Sequence, residues 1–277
     1  MIISIASGKG GTGKTLVATN MAASLEEVEL ADCDVEEPNS YLFFPDRVVK
    51  DSFDCTIPIP IIDEEKCTRC GICSDFCAYN ALAVFPSQVL VFPELCHGCG
   101  GCEIACPENA ITEGKRSIGK IYVAETGDVR LLWGELKLGE PMATPLIRAV
   151  KREVKTDLVL IDSPPGTACP VIEAVRDTDF CVLVTEPTPF GLYDLRIAVN
   201  VLKEMEIPCG VIVNRAGIGD RGVYRYCEED EIPILMEIPF SREIAGLYSQ
   251  GILFSREMPE WKEKFVNLVA KIEEMVR

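Results

Sequence analysis

The chain has 277 residues, 48% of them hydrophobic, and sets 27 Lys and Arg against 44 Asp and Glu for a formal charge of −17. This length and composition suit one α/β core with a small insert and exclude disordered and low-complexity classes. So acidic a surface repels nucleic acid and anionic lipid, and no nucleic-acid partner is expected. No apolar run approaches a membrane span, and the apolar start stops at Gly8, too short for the h-region of a secretory signal. Stable membrane insertion is therefore not expected, and a reducing cytoplasm is the expected compartment.

The first element is the short apolar run Ile2 to Ala6, read as a strand. It leads into Gly8-Lys9-Gly10-Gly11-Thr12-Gly13-Lys14-Thr15, and a helical pattern follows from Leu16 to Leu25. Strand, glycine-rich loop and helix make a Walker A phosphate site. The glycines let successive backbone N–H groups turn onto the phosphates, and the helix N-terminus adds a favourable dipole. In such a loop Lys14 reaches the β- and γ-phosphates and Thr15 binds Mg2+. Two acidic strand ends complete the set: Asp32 and Asp34 follow the run Val28 to Ala31, and Asp162 follows Leu158 to Ile161. Asp162 takes the Walker B position, holding Mg2+ through water. Asp34 is the candidate for positioning the attacking water, and Asp32 for a second place in the metal shell.

Between these ends lie eight cysteines in two copies of C-x2-C-x2-C-x3-C: Cys67, Cys70, Cys73, Cys77, and then Cys96, Cys99, Cys102, Cys106. The repeat continues past them, Cys77-Ala-Tyr-Asn80-Ala-Leu82 matching Cys106-Pro-Glu-Asn109-Ala-Ile111. The spacing resembles that of bacterial two-cluster ferredoxins, in which the fourth cysteine of each run ligates the other cluster. That resemblance implies two 4Fe-4S clusters, one on Cys67, Cys70, Cys73 and Cys106, the other on Cys96, Cys99, Cys102 and Cys77. Zinc is the competing ligand, but tetrahedral zinc sites usually pair two C-x2-C halves a dozen or more residues apart. Cys77 lacks the proline that follows Cys106. His97, the single histidine, reads as a plain loop residue with a proton-coupled or ligand role as the alternative.

Downstream, Ile121 to Ala124 and Arg130 to Trp133 read as a hairpin through Gly127-Asp128. Thr144 to Lys155 and Phe190 to Met205 read as helices, Phe180 to Thr185, Cys209 to Val213 and Ile234 to Ile238 as strands. The last helix spaces Trp261, Phe265, Leu268, Val269, Ile272, Met275 and Val276 for packing on a sheet; a membrane-surface role is its alternative. The expected fold is a doubly wound, mainly parallel α/β sheet with an inserted small α+β ferredoxin-type module. The expected division is 1–59 and 114–277 for the nucleotide-binding domain and 60–113 for the insert.

Together the motifs resemble the deviant Walker A ATPases of the MinD/Mrp and nitrogenase iron protein superfamily, in members with an inserted ferredoxin domain. The specific token is Lys9, the second lysine of K-G-G-T-G-K-T. The resemblance implies that Lys9 crosses an ATP-dependent homodimer to the partner's phosphates. It also implies that Asn214-Arg215 contacts adenine, for which a capping asparagine is the alternative, and that Pro239-Phe240 forms a second base-contacting loop. Cys169, seven residues past Asp162, is a candidate for an inter-subunit metal or cluster site. The expected function is ATP hydrolysis that gates electron delivery from the clusters to a redox or metalloprotein partner. The rival is assembly or carriage of iron–sulfur centres; a MinD-like positioning switch is third.

Overall fold

The computed structural model describes all 277 residues. A nine-stranded sheet runs in the order β11-β10-β9-β1-β8-β2-β7-β6-β3. Midway along its seven parallel strands is β1 (Ile2–Ala6), flanked by β8 (Leu158–Asp162) and β9 (Phe180–Thr185). Outward lie β2 (Val28–Asp32) and β7 (Val129–Leu136) on one side, β10 (Cys209–Ala216) and β11 (Ile234–Pro239) on the other. These seven strands pair in parallel. Strands covered on both faces are mostly apolar, and β2 and β9 are buried at every position, with Glu29 and Asp32 the charged exceptions in β2.

One face is covered by α1 (Lys14–Ala22), α8 (Arg242–Ser249), α9 (Phe254–Glu257) and α10 (Pro259–Val276); α4 (Thr144–Arg152), α5 (Cys169–Val175), α6 (Pro189–Glu204) and α7 (Gly222–Glu229) cover the other. The terminal helix puts Trp261, Phe265, Leu268, Val269 and Ile272 into the main core beside Phe254 and β1, while Met275 and Val276, in its last turn beyond Ile272, are exposed. No helix is long and apolar enough to cross a membrane.

The sheet ends in two long antiparallel strands, β3 (Val48–Ile62) and β6 (Ile111–Thr126), paired from Val48↔Glu125 to Ile62↔Ile111. Because β7 pairs with β6 only between Gly119 and Thr126, the far half of the ladder leaves the sheet as a two-stranded arm. Seven residues of strand make it about 20 Å long. At its tip Asp63 N–H donates to Ala110 O (2.8 Å), closing a loop that carries α2 (Ile72–Phe76), β4 (Leu82–Val84), β5 (Val89–Val91) and α3 (Gly101–Ala105). β4 and β5 form their own two-stranded sheet. The boundaries read from the motifs, 60 and 113, fall inside the last paired residues of the arm. A strand over Val48–Ile62 was not legible from its sequence.

Candidate nucleotide site and cysteine module

The glycine-rich loop sits at the carboxyl end of β1, where open α/β sheets bind ligands. Gly11 and Gly13 hold positive φ (80° and 101°), turning the loop into the first turn of α1 at Lys14. A Cβ on Gly8 would strike the Asp194 backbone of α6, and one on Gly13 the Asn214 carboxamide, so neighbours fix the loop from both sides. Over it opens a cavity of about 510 Å³. Its wall includes Gly10, Gly11, Gly13, Lys14 and Thr15, and beyond them Asp34, Asn214, Arg215 and Pro239. Gly8, Lys9, Thr12, Asp32 and Asp162 are outside that wall; Lys9 is half-buried, its carbonyl accepting from Ser7 Oγ (2.6 Å).

Asp32 and Asp162 lie side by side beneath the cavity as register partners on β2 and β8. Asp32 accepts from the backbone N–H groups of Asp34 (3.0 Å), Asn39 (3.0 Å) and Ser40 (2.9 Å), which folds residues 34–40 over it. Ser40 Oγ donates to Asp162 Oδ2 (3.1 Å), while the buried Asp162 Oδ1 and Thr12 Oγ1 have no partner. Burial, and then the adjacent Asp32 charge, push Asp162 up to about 7. Asp34 rises to about 6 for the same two reasons, with Lys14 opposing. Two carboxylates side by side, one oxygen unpaired, under a lysine-bearing phosphate loop fit a divalent cation with a polyphosphate. Thr15, in the cavity wall at the start of α1, would share that ion.

Asn214 Nδ2 donates to Thr12 O (2.7 Å) and its Oδ1 accepts from Arg215 N–H (2.9 Å). The carboxamide therefore ties β10 to the phosphate loop, with one N–H and one lone pair left for a base. Arg215 pairs with Glu186 (2.7 Å), and Phe240 and Tyr248 supply aromatic surface near it. Sequence reasoning missed Ser40 and Tyr248. The nearby E-E-P-N-S stretch signals a loop, but its wrap around Asp32 depends on tertiary register.

In the module, the two halves of the repeat have matching backbones. Gly71 and Gly100 cap α2 and α3 at φ 85° and 71°, and Asn80 and Asn109 both take left-handed φ (54° and 48°). Ala81 N–H donates to Cys77 Sγ and Ala110 N–H to Cys106 Sγ, both at 3.3 Å. One cavity, about 220 Å³, is walled by Cys77, Cys96, Cys99 and Cys102; a second, smaller one by Cys67, Cys70, Cys73 and Cys106. Each thus takes its fourth cysteine from the other half. No three His, Cys, Asp or Glu side chains converge on a point where a lone metal ion could sit. Four thiols around a space suit a multi-atom cluster; tetrahedral zinc, with bonds of about 2.3 Å, would draw four sulfurs nearly into contact. His97 stacks flat on Tyr79 (3.5 Å between centroids, 7° between planes) in the wall of the larger cavity, more than a plain loop position. Cys169 is exposed at the start of α5, and Cys33, Cys181 and Cys227 are buried.

The model of the CobQ/CobB/MinD/ParA nucleotide binding domain matches residues 3–254. Among curated relatives, an uncharacterized protein of Methanocaldococcus jannaschii is 32% identical across 100% of this chain and 98% of its own length. An Iron-sulfur cluster carrier protein of Pyrococcus abyssi is 25% identical across 99% of this chain and 87% of its own. The septum site-determining protein MinD of Pyrococcus horikoshii, solved with Mg-ADP, has a TM-score of 0.59 at 22% identity, covering 99% of this chain and 96% of that one. The likeness to MinD is one of fold, and with the family match over most of its length it makes this chain a member of the CobQ/CobB/MinD/ParA nucleotide-binding family.

Proposed function

We propose that this chain is an ATP-hydrolysing iron–sulfur protein that carries or assembles clusters, its nucleotide state governing the cysteine module. The observation that carries this is the pair of cavities, each walled by four cysteines, on an arm rooted beside the Asp32–Ser40 loop. Relatives named for cluster carriage, at 25% identity over nearly the whole chain, favour this reading over gated electron delivery.

The phosphate loop and the paired carboxylates support the following hydrolytic roles. Backbone N–H groups of Gly10 to Thr15 and the Lys14 ammonium would hold the phosphates, and Thr15 with Asp162 would hold Mg2+. Asp34, in the cavity wall and raised to about 6, orients the water that attacks the γ-phosphorus as the β–γ bridging oxygen leaves with ADP. Lys9, outside its own cavity wall, is free to reach a second copy's phosphates on dimer closure. In the module, 4Fe-4S clusters would supply redox or donor chemistry. This chain's contribution is thiolate ligation, N–H···S bonds at Cys77, Cys96 and Cys106, and exclusion of water by Leu82 and Ile111.

One observation favours electron delivery to a metalloprotein: four cysteines complete each set within one chain, leaving no open position for handover. The two readings separate when the anaerobically purified protein, loaded with labelled iron, is mixed with an apo 4Fe-4S acceptor protein. ATP-accelerated appearance of label in the acceptor supports carriage. Label retained through many ATP turnovers, with cluster potentials that shift between nucleotide states, overturns it in favour of electron delivery.

A further inference from the structure

We propose that Ser40 and Tyr41 are positioning residues that report occupancy of the Asp32–Asp162 cation site to the arm bearing the cysteine module. The proposal rests on the reading of that site as one for Mg-nucleotide and adds a route from it that neither the motifs nor the comparisons assign.

Two threads join the site to the arm. In the first, Ser40 touches both carboxylates, its N–H on Asp32 Oδ2 (2.9 Å) and its hydroxyl on Asp162 Oδ2 (3.1 Å). The next side chain, Tyr41, stacks on Trp133 of β7 (5.0 Å, 25°), which stacks on Tyr122 of β6 (5.0 Å, 12°). Trp133 is the register partner of both Asp32 and Tyr122, so the stack crosses from the carboxylate strand to the arm strand in one step. Arg47 lies over the Tyr41 ring (4.7 Å) and closes the outer end. In the second thread, Leu136 N–H donates to Val35 O and Lys137 N–H to Ile118 O, both at 2.9 Å, tying the residue after Asp34 to β6. Ile118 adjoins Gly119, where β6 parts from β7 and the arm leaves the sheet, and Tyr122 lies three residues further along β6.

The consequence is directional. A cation held through water beside Asp162 would draw on the carboxylate whose Oδ2 accepts from Ser40 Oγ and so change that bond, even with Oδ1 as the free position. Any shift of residues 40–41 then moves a ring clamped between Arg47 and Trp133 at the arm's root. Packed aromatic faces repack between discrete arrangements instead of bending continuously, so the arm responds as a unit. A nucleotide must bind the two arrangements with different affinity, a coupling typically worth about 5- to 150-fold.

Trp133 is its own reporter, since Trp261 is the second and last tryptophan. In the anaerobically purified full-length Trp261→Phe protein, Trp133 emission is compared without nucleotide, with ADP and EDTA, and with Mg2+ plus a non-hydrolysable ATP analogue. Hydrogen exchange over 56–62 and 111–118 is followed in the same states on the unsubstituted chain, and calorimetry measures nucleotide binding separately. The expected result is an Mg2+-dependent change in Trp133 emission and about fivefold altered exchange in the arm. Tyr41→Leu should bind the analogue as wild type does and lose the exchange response. Emission and exchange that stay constant with analogue bound, or an arm response undiminished in Tyr41→Leu, overturn the coupling while leaving the nucleotide site standing. No binding by calorimetry overturns the site reading and the coupling with it.

Discussion

At the scale of single residues, the carboxylate pair sets the chemistry. Asp162 titrates near 7 in the fold against 3.8 for an ordinary carboxylate, burial being the main cause and the Asp32 charge the second. A raised carboxylate destabilises the fold as it ionises, so the metal-free protein loses stability as pH rises from about 4 to about 7 and is level above. Asp162→Asn should flatten the melting profile between about pH 6 and about pH 8, where wild type falls by on the order of 1 kcal/mol. It should also lower ATP hydrolysis by about 100-fold, read as phosphate release. In wild type, Mg2+ should raise the melting temperature more at the higher pH, where no proton need be displaced. Gly8→Ala acts sterically: the added methyl meets the Asp194 backbone, which no rotamer change relieves. It should cost about 1–3 kcal/mol in thermal unfolding and weaken nucleotide binding by displacing the loop from α6.

At the scale of elements, legibility followed burial. The parallel strands were read to within a few residues because both faces are covered and their sequences are mostly apolar, β2 carrying Glu29 and Asp32 as buried exceptions. β3 was not, since Val48 to Asp54 are mostly exposed and Pro58 and Pro60 argue against a strand; both prolines sit on the sheet's outermost strand, where they are tolerated. β6 was read only from Ile121, because Thr112 to Ser117 is polar and acquires its strand character from pairing with β3. The site divided in the same way. Loop glycines, strand-end aspartates and cysteine spacing are local patterns. The Ser40–Asp162 bond and the Tyr79–His97 stack join residues that only the fold brings together. The exchange of fourth cysteines is testable within the module: Cys106→Ser should perturb the EPR signal of the cluster on Cys67, Cys70 and Cys73 and spare that on Cys96, Cys99 and Cys102. Perturbation confined to the Cys96 set would refute the exchanged pairing.

At the scale of the molecule, each copy brings a formal charge of −17 to any dimer. Repulsion between two such surfaces is screened over about 8–10 Å at physiological salt, so association should strengthen as ionic strength rises. With a non-hydrolysable ATP analogue, the dimer fraction from light scattering should increase between about 50 and about 300 mM salt; a decrease would mean that intersubunit ion pairs outweigh net charge.

The arm also gives the molecule a particular economy of construction. Ile62 and Ile111 face each other as the last register partners, and Asp63 and Ala110 are hydrogen-bonded just beyond them. To the nine-stranded body, everything between is topologically one hairpin loop entering and leaving at the same place. Loops closed at a fixed base add little entropy per added residue, and none of the seven parallel strands is interrupted. The intervening piece is thus a cassette: a two-residue turn could take its place without changing any strand neighbour, and a different loop could be plugged into the same socket.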